Sequence, residues 1–113
     1  MDCLFCKIAA GTIKADIVYQ DNEIVAFRDI APQAPHHILI IPRKHIATVN
    51  DIAADDTLLV GKSIQVGKKL AADLGLADNG YRLLINCNKH GGQAVYHIHF
   101  HLLGGRQMQW PPG

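Results

Sequence analysis

Tyr96-His97-Ile98-His99-Phe100-His101-Leu102-Leu103 decides how this chain is read. A strand has a period of two, so His97, His99 and His101 share one face and Ile98, Phe100 and Leu102 the other. Neighbours on one face lie about 6.5–7 Å apart along the strand. The apolar side predicts a covering helix. Three imidazoles in a row suit metal ligation, proton transfer, or a nucleophile flanked by an acid and a base. The plainer reading is a solvated polar face, but three alternating histidines are improbable by chance.

Just upstream lies Asn88-Lys89-His90-Gly91-Gly92-Gln93. Paired glycines let backbone N–H groups approach an anion, and Gln93 adds a side-chain donor. Alone the pair would be a turn; beside a histidine row it reads as a phosphate cradle. Farther out, Tyr81–Asn86 and Val95–Leu103 read as strands. Asp55–Leu74 reads as a long helix: Leu59, Val60, Ile64, Val66, Leu70, Ala71 and Leu74 fall near 3.6 spacing, and Gly75 fits the position after its last turn. His37–Pro42 is a β-branched apolar run, a central strand. Ile17–Gln20 and Glu23–Ile30 are strands joined by the tight-turn pair Asp21-Asn22, and Cys3–Ala10 is a short helix ended by Gly11. These elements predict an α+β domain: a five-stranded, mostly antiparallel sheet, one long helix on one face, a short N-terminal helix, and the other sheet face free for a site.

The chain of 113 residues, 49% hydrophobic and 19% charged, has the composition of one packed domain spanning residues 1–113. A net charge of +1 argues against nucleic acid and a polybasic membrane anchor, though one phosphate needs only a few donors. No apolar run approaches the roughly 18 residues that span a bilayer, and no signal peptide is visible at the start. Three cysteines do not suggest a disulfide framework, so a reducing cytoplasm is the default.

His97-Ile98-His99-Phe100-His101-Leu102-Leu103 resembles the signature of the histidine triad superfamily. Its Hint branch is matched by Asp29-Ile30-Ala31-Pro32-Gln33-Ala34-Pro35, by His37–Pro42, and by the tail Leu103-Gly104-Gly105-Arg106-Gln107-Met108 with Trp110-Pro111-Pro112-Gly113. The resemblance spans nearly the whole chain. It implies hydrolysis of purine nucleoside phosphoramidates, of the adenosine phosphoramidate type, through a nucleotidyl-histidine, with no cofactor needed for catalysis. The alternative is a purine-nucleotide binding or sensing protein with slow vestigial hydrolysis. A metal-dependent hydrolase is disfavoured, because no carboxylate base lies near the histidines in sequence.

By matching position, the resemblance makes His99 the nucleophile, its Nδ1–H held by the main-chain carbonyl of His97. It sets His101 against the phosphate and leaving group. His37 and His97 either relay protons or only orient neighbours. Asp29 would accept from both ribose hydroxyls; by itself it reads as a turn cap. Phe5, Ile8, Phe27, Ile30 and Leu39 would line the base slot, or simply be core. Asn86, Gln93 and the Gly92–Ala94 backbone would meet the phosphate. Position 94 departs from the pattern: Ala94 stands where Ser is common, which removes a hydroxyl donor. Cys3-Leu4-Phe5-Cys6, with His45 and His97, matches a structural zinc site of some relatives; the alternative is two buried thiols. The resemblance also implies a homodimer with one ten-stranded sheet. Small residues Gly61, Ser63 and Gly67 would let the long helices approach, and tail 106–113 would carry Trp110 to the dimer and active-site rim.

Overall fold

The computed structural model describes residues 2–113. Helix α1 spans Leu4–Ala9, strand β1 Ile17–Gln20, β2 Ile24–Arg28 and β3 His36–Pro42. Two 3-10 turns, Val49–Asp51 and Ala54–Asp56, lead into α2, Thr57–Asp73. Strand β4 is Tyr81–Ile85, α3 is the single turn Asn88–Gly91, and β5 is Phe100–Gly104. The sheet order is β1-β2-β3-β5-β4, and every pairing is antiparallel. The last strand therefore sits between β3 and β4, which leaves β1 and β4 as the edges. No helix among the described residues is long and apolar enough to cross a membrane.

Local chemistry explains the elements. Asp21 makes the β1–β2 turn by accepting the N–H groups of Glu23 and Ile24 at 2.7 and 2.8 Å. Helix α2 ends as expected: Gly75 has φ +73°, and Leu76 N–H reaches back to Ala71 O at 2.8 Å. Its start is later than the expected Asp55. The buried Asp56 carboxylate takes Ala53 N–H at 2.9 Å and Lys44 Nζ at 2.6 Å, and so closes a 3-10 turn before the helix begins.

Strand alternation separates two cores. Ile24, Ala26, Ile38, Ile40, Phe100 and Leu102 face α2, packing on Val66, Leu70 and Ala71. Val25, Phe27, Leu39 and Ile41 face the other way and meet Cys3, Phe5 and Ile8 of the N-terminal segment. The second face is thus not wholly free, as the sequence suggested; α1 covers one end of it.

Strand β5 is shorter than the expected Val95–Leu103. The β3–β5 ladder runs from His36↔Gly104 to Ile40↔Phe100. Continued by two residues it would set Ile98 opposite Pro42, which has no N–H to donate. Ile98 N–H instead donates to Ile46 O at 2.7 Å. His97 and His99 therefore lie in an irregular leader, and only His101 is in the sheet. The helix argument for dimerisation also changes. Ser63 is buried and donates to Leu59 O at 3.1 Å, and a Cβ on Gly67 would lie 3.1 Å from Ile40 Cδ1. Both serve packing within the chain; only Gly61 faces open space.

Candidate active site

Register assembles the site face. Phe27 pairs with Leu39, Leu39 with His101, and His101 with Leu84, in one row across β2, β3, β5 and β4. His37 lies two residues from Leu39 on the same face of β3. Asp29 follows β2 and donates its N–H to His37 O at 3.0 Å.

Hydrogen bonds define the tautomer of each imidazole. His99 Nδ1 is 2.8 Å from His97 O, a carbonyl that only accepts. Nδ1 therefore carries the proton, and Nε2 keeps a free lone pair. The ring is buried edge-on to Phe5, with centroids 5.0 Å apart. His37 Nδ1 accepts from Gln33 N–H at 3.1 Å, so its Nε2 carries the proton and donates to His101 Nδ1 at 2.9 Å. His101 is left with a donor at Nε2. The main-chain role of Gln33 has no signature in its residue type; the local hint is the Pro32–Pro35 turn that holds it.

Burial pushes His37, His97 and His99 below the ordinary imidazole value, because it disfavours the charged ring. His101 is lowered most, to about 4, by burial first and then by the like charges of His99 and His37. All four rings are neutral at pH 7. His99 is thus an available nucleophile, and His101 a hydrogen-bond donor.

His97 has a different place from the one a proton relay needs. Its ring is fully buried, with Nε2 donating to Pro42 O at 2.7 Å. Nδ1 faces Cys3 Sγ at 3.4 Å and Cys6 Sγ at 3.5 Å. Both ring nitrogens are engaged away from His99, which receives only the main-chain carbonyl. Cys6 Sγ is also 3.4 Å from His45 Nδ1, and ligand atoms of Cys3, Cys6, His45 and His97 all lie within 4.8 Å of one another. Tetrahedral zinc with two sulfur and two nitrogen ligands sets its donor atoms roughly 3.3–3.8 Å apart. The bond to Pro42 O leaves Nδ1 of His97 as the ligating atom. The four residues fit zinc, and an open groove over Cys3, His45, Ala94 and Tyr96 supplies an approach.

The remaining candidates divide. Asp29 Oδ1 caps its own turn, accepting Ala31 N–H at 2.8 Å, while Oδ2 lies 3.5 Å from His37 Nε2. One oxygen caps and the other faces the site. Phe5, Ile8, Phe27 and Leu39 form one buried apolar cluster, and Ile30 is fully exposed beyond β2. Asn86 follows β4, and Gly91 packs on its backbone at 3.6 Å from the position a Cβ would take. In the glycine loop, Gly92 N–H donates to Lys89 O and Gln93 N–H to Asn88 O, whereas the exposed Ala94 makes no such main-chain bond among the described residues. Trp110 is 82% exposed in the single chain, and the tail is tied down by Arg82 Nη2 donating to Gln109 O at 3.0 Å.

The fold, an antiparallel sheet whose inner strand carries His101 beside His37 and is entered through a leader that holds His97 and His99, defines a class that known proteins share. The family profile described as HIT domain matches residues 10–108, and the chain belongs to that family. It is 55% identical over 107 residues to the purine nucleoside phosphoramidase of Escherichia coli K12, covering 95% of this chain and 90% of that one. The crystal structure of a HIT family hydrolase from Legionella pneumophila Philadelphia 1 superposes with TM-score 0.98 at 62% identity, covering 99% of this chain and all of that one. A zinc-bound histidine triad family protein from Mycobacterium smegmatis matches with TM-score 0.81 at 31% identity, over 94% of this chain and 76% of that one.

Proposed function

We propose that this protein is a nucleoside phosphoramidase that hydrolyses the P–N bond of purine nucleoside 5′-phosphoramidates. The observation that carries the reading is the His99 ring, held with Nδ1–H on His97 O so that Nε2 is the free nucleophile. The E. coli relative, a purine nucleoside phosphoramidase, supplies the substrate class. His99 Nε2 attacks the α-phosphorus, the N–P bond to histidine forms, and the P–N bond to the amine breaks. The His37–His101 pair faces the same point. Once the bound anion offsets the burial and the repulsion that lower His101, the pair carries the proton that leaves with the amine. Water then cleaves the nucleotidyl-histidine and regenerates the ring. Asp29 Oδ2 accepts from the ribose hydroxyls, Ile30 covers the base over the apolar cluster of Phe5, Ile8, Phe27 and Leu39, and Asn86 with Ala94 N–H meets the phosphate.

Zinc in the Cys3-Cys6-His45-His97 set serves structure here, cross-linking α1 to the segment that carries His97. The solvent-facing edge β4 and the exposed Trp110 support a homodimer in which two sheets join into one of ten strands and each tail reaches the partner's site. Sedimentation at micromolar concentration separates dimer from monomer. The function itself is tested by intact mass spectrometry after brief incubation with adenosine 5′-phosphoramidate. A nucleotidyl adduct on the wild type, absent from His99→Ala, is the expected result; turnover by His99→Ala would overturn the mechanism.

A further inference from the structure

The carbonyl that orients the nucleophile belongs to a stretch with no sheet ladder. Residues 93–98 lie beyond the last β3–β5 pair, so their placement needs other bonds. Two are made at its C-terminal end, His97 Nε2 to Pro42 O and Ile98 N–H to Ile46 O, each 2.7 Å. The third comes from Gln93. Its Nε2 donates to Ala47 O at 2.8 Å and to Val95 O at 3.1 Å, while Oε1 accepts Asn88 N–H at 2.8 Å. Both N–H donors of the carboxamide are engaged, and the residue is only 7% exposed.

We propose that Gln93 is a positioning residue, a three-way clamp joining the glycine loop, the segment after β3 and the triad leader, and not a donor to the substrate. This rests on the reading of His99 as nucleophile. A donor role would require the amide to give up its bond to Ala47 O or to Val95 O, two half-buried carbonyls for which no other partner is in place. As a clamp, Gln93 replaces the ladder that Pro42 terminates. It also stabilises the left-handed backbone of Asn88, φ +59°, by accepting that residue's N–H. Displacing the leader moves His97 O and so tilts His99, while the ribose and base contacts at Asp29 and Ile30 are untouched.

The test uses Gln93→Met, similar in shape but without hydrogen-bonding groups, and Gln93→Glu, which keeps the acceptor for Asn88 N–H and loses both donors. Three quantities are read: amide exchange at Asn88 in the ligand-free protein, the rate of His99 adduct formation at saturating adenosine 5′-phosphoramidate, and the Kd for AMP. Gln93→Met is expected to lose at least tenfold in Asn88 protection and tenfold in adduct rate, with the Kd for AMP within threefold. Gln93→Glu is expected to keep Asn88 protection and still lose the rate. Wild-type exchange together with weakened AMP binding would make Gln93 a ligand and overturn the clamp; so would an unchanged adduct rate in either variant. Should Gln93→Met fail to fold, Gln93→Glu decides by the same split between rate and affinity. Failure of the wild type itself to form an adduct would refute the proposed function, whereas Asn88 exchange reports on the clamp regardless.

Discussion

Acid should destabilise this protein through its active site, and His101 allows the size of the effect to be worked out. The ring titrates at 6.5 in the unfolded chain and at about 4 in the folded one, because it is buried beside His99 and His37. Between those values the unfolded state binds a proton that the folded state does not. Stability is therefore complete above pH 6.5 and lost as pH falls. The loss from this one group is about 2 kcal/mol at pH 5 and levels off at about 3 kcal/mol below pH 4. His37, His97 and His99 are lowered too and act in the same direction. The comparison that isolates His101 is with His101→Asn, whose side-chain oxygen can still accept from His37 Nε2–H. Urea unfolding of both proteins at pH 7.5, 6 and 5 should show the wild type's stability falling relative to the variant by about 2 kcal/mol between the extremes. Carboxylates common to both cancel. A difference that stays constant across this range would mean that His101 titrates normally in the folded protein, and the neutral-donor role assigned to it would fail.

Three further outcomes follow from named contacts. Asp29→Asn should weaken ribonucleotides at least tenfold more than deoxyribonucleotides, since a charge-assisted hydrogen bond is worth about 1.5–3 kcal/mol; equal weakening in calorimetric titrations would leave Asp29 only its bond to Ala31 N–H. Gly104→Ala should cost about 1–3 kcal/mol in thermal denaturation, because the new Cβ would sit 2.5 Å from Leu76 Cδ1 in the α2-side core; an unchanged Tm would show that Leu76 has room to move. Purified protein should carry one zinc per chain by elemental analysis and Cys3→Ser/Cys6→Ser none, with the double variant also less stable; equal metal content would place zinc elsewhere.

The fold was legible where the reason is local. The run Ile38–Ile41 reads as a central strand because it is buried on both faces, and Asp21 and Gly75 signal their turns through their own chemistry. The start of β5 was not legible from its own residues. It is decided by Pro42, some 55 positions away from His97, which stops the ladder from the opposite strand. The α3 turn depends on Asn88 adopting φ +59°, which its bond from N–H to the distant end of the same loop makes tolerable. The site divides the same way. Alternation indicated that His99 and His101 share a face, and the resemblance indicated which ring to propose as the nucleophile. Neither says what Gln93 does: its residue type admits a substrate donor and a clamp equally, and only three backbone partners in three segments separate the two. Nor does spacing reveal where each proton sits. His97 O, Pro42 O and Gln33 N–H decide that for His99, His97 and His37, and His37 then decides it for His101. The side chains of this site are written in the triad motif, but the protonation states that make them chemically distinct come from main-chain groups, mostly on other segments, whose own side chains bear no mark of the task.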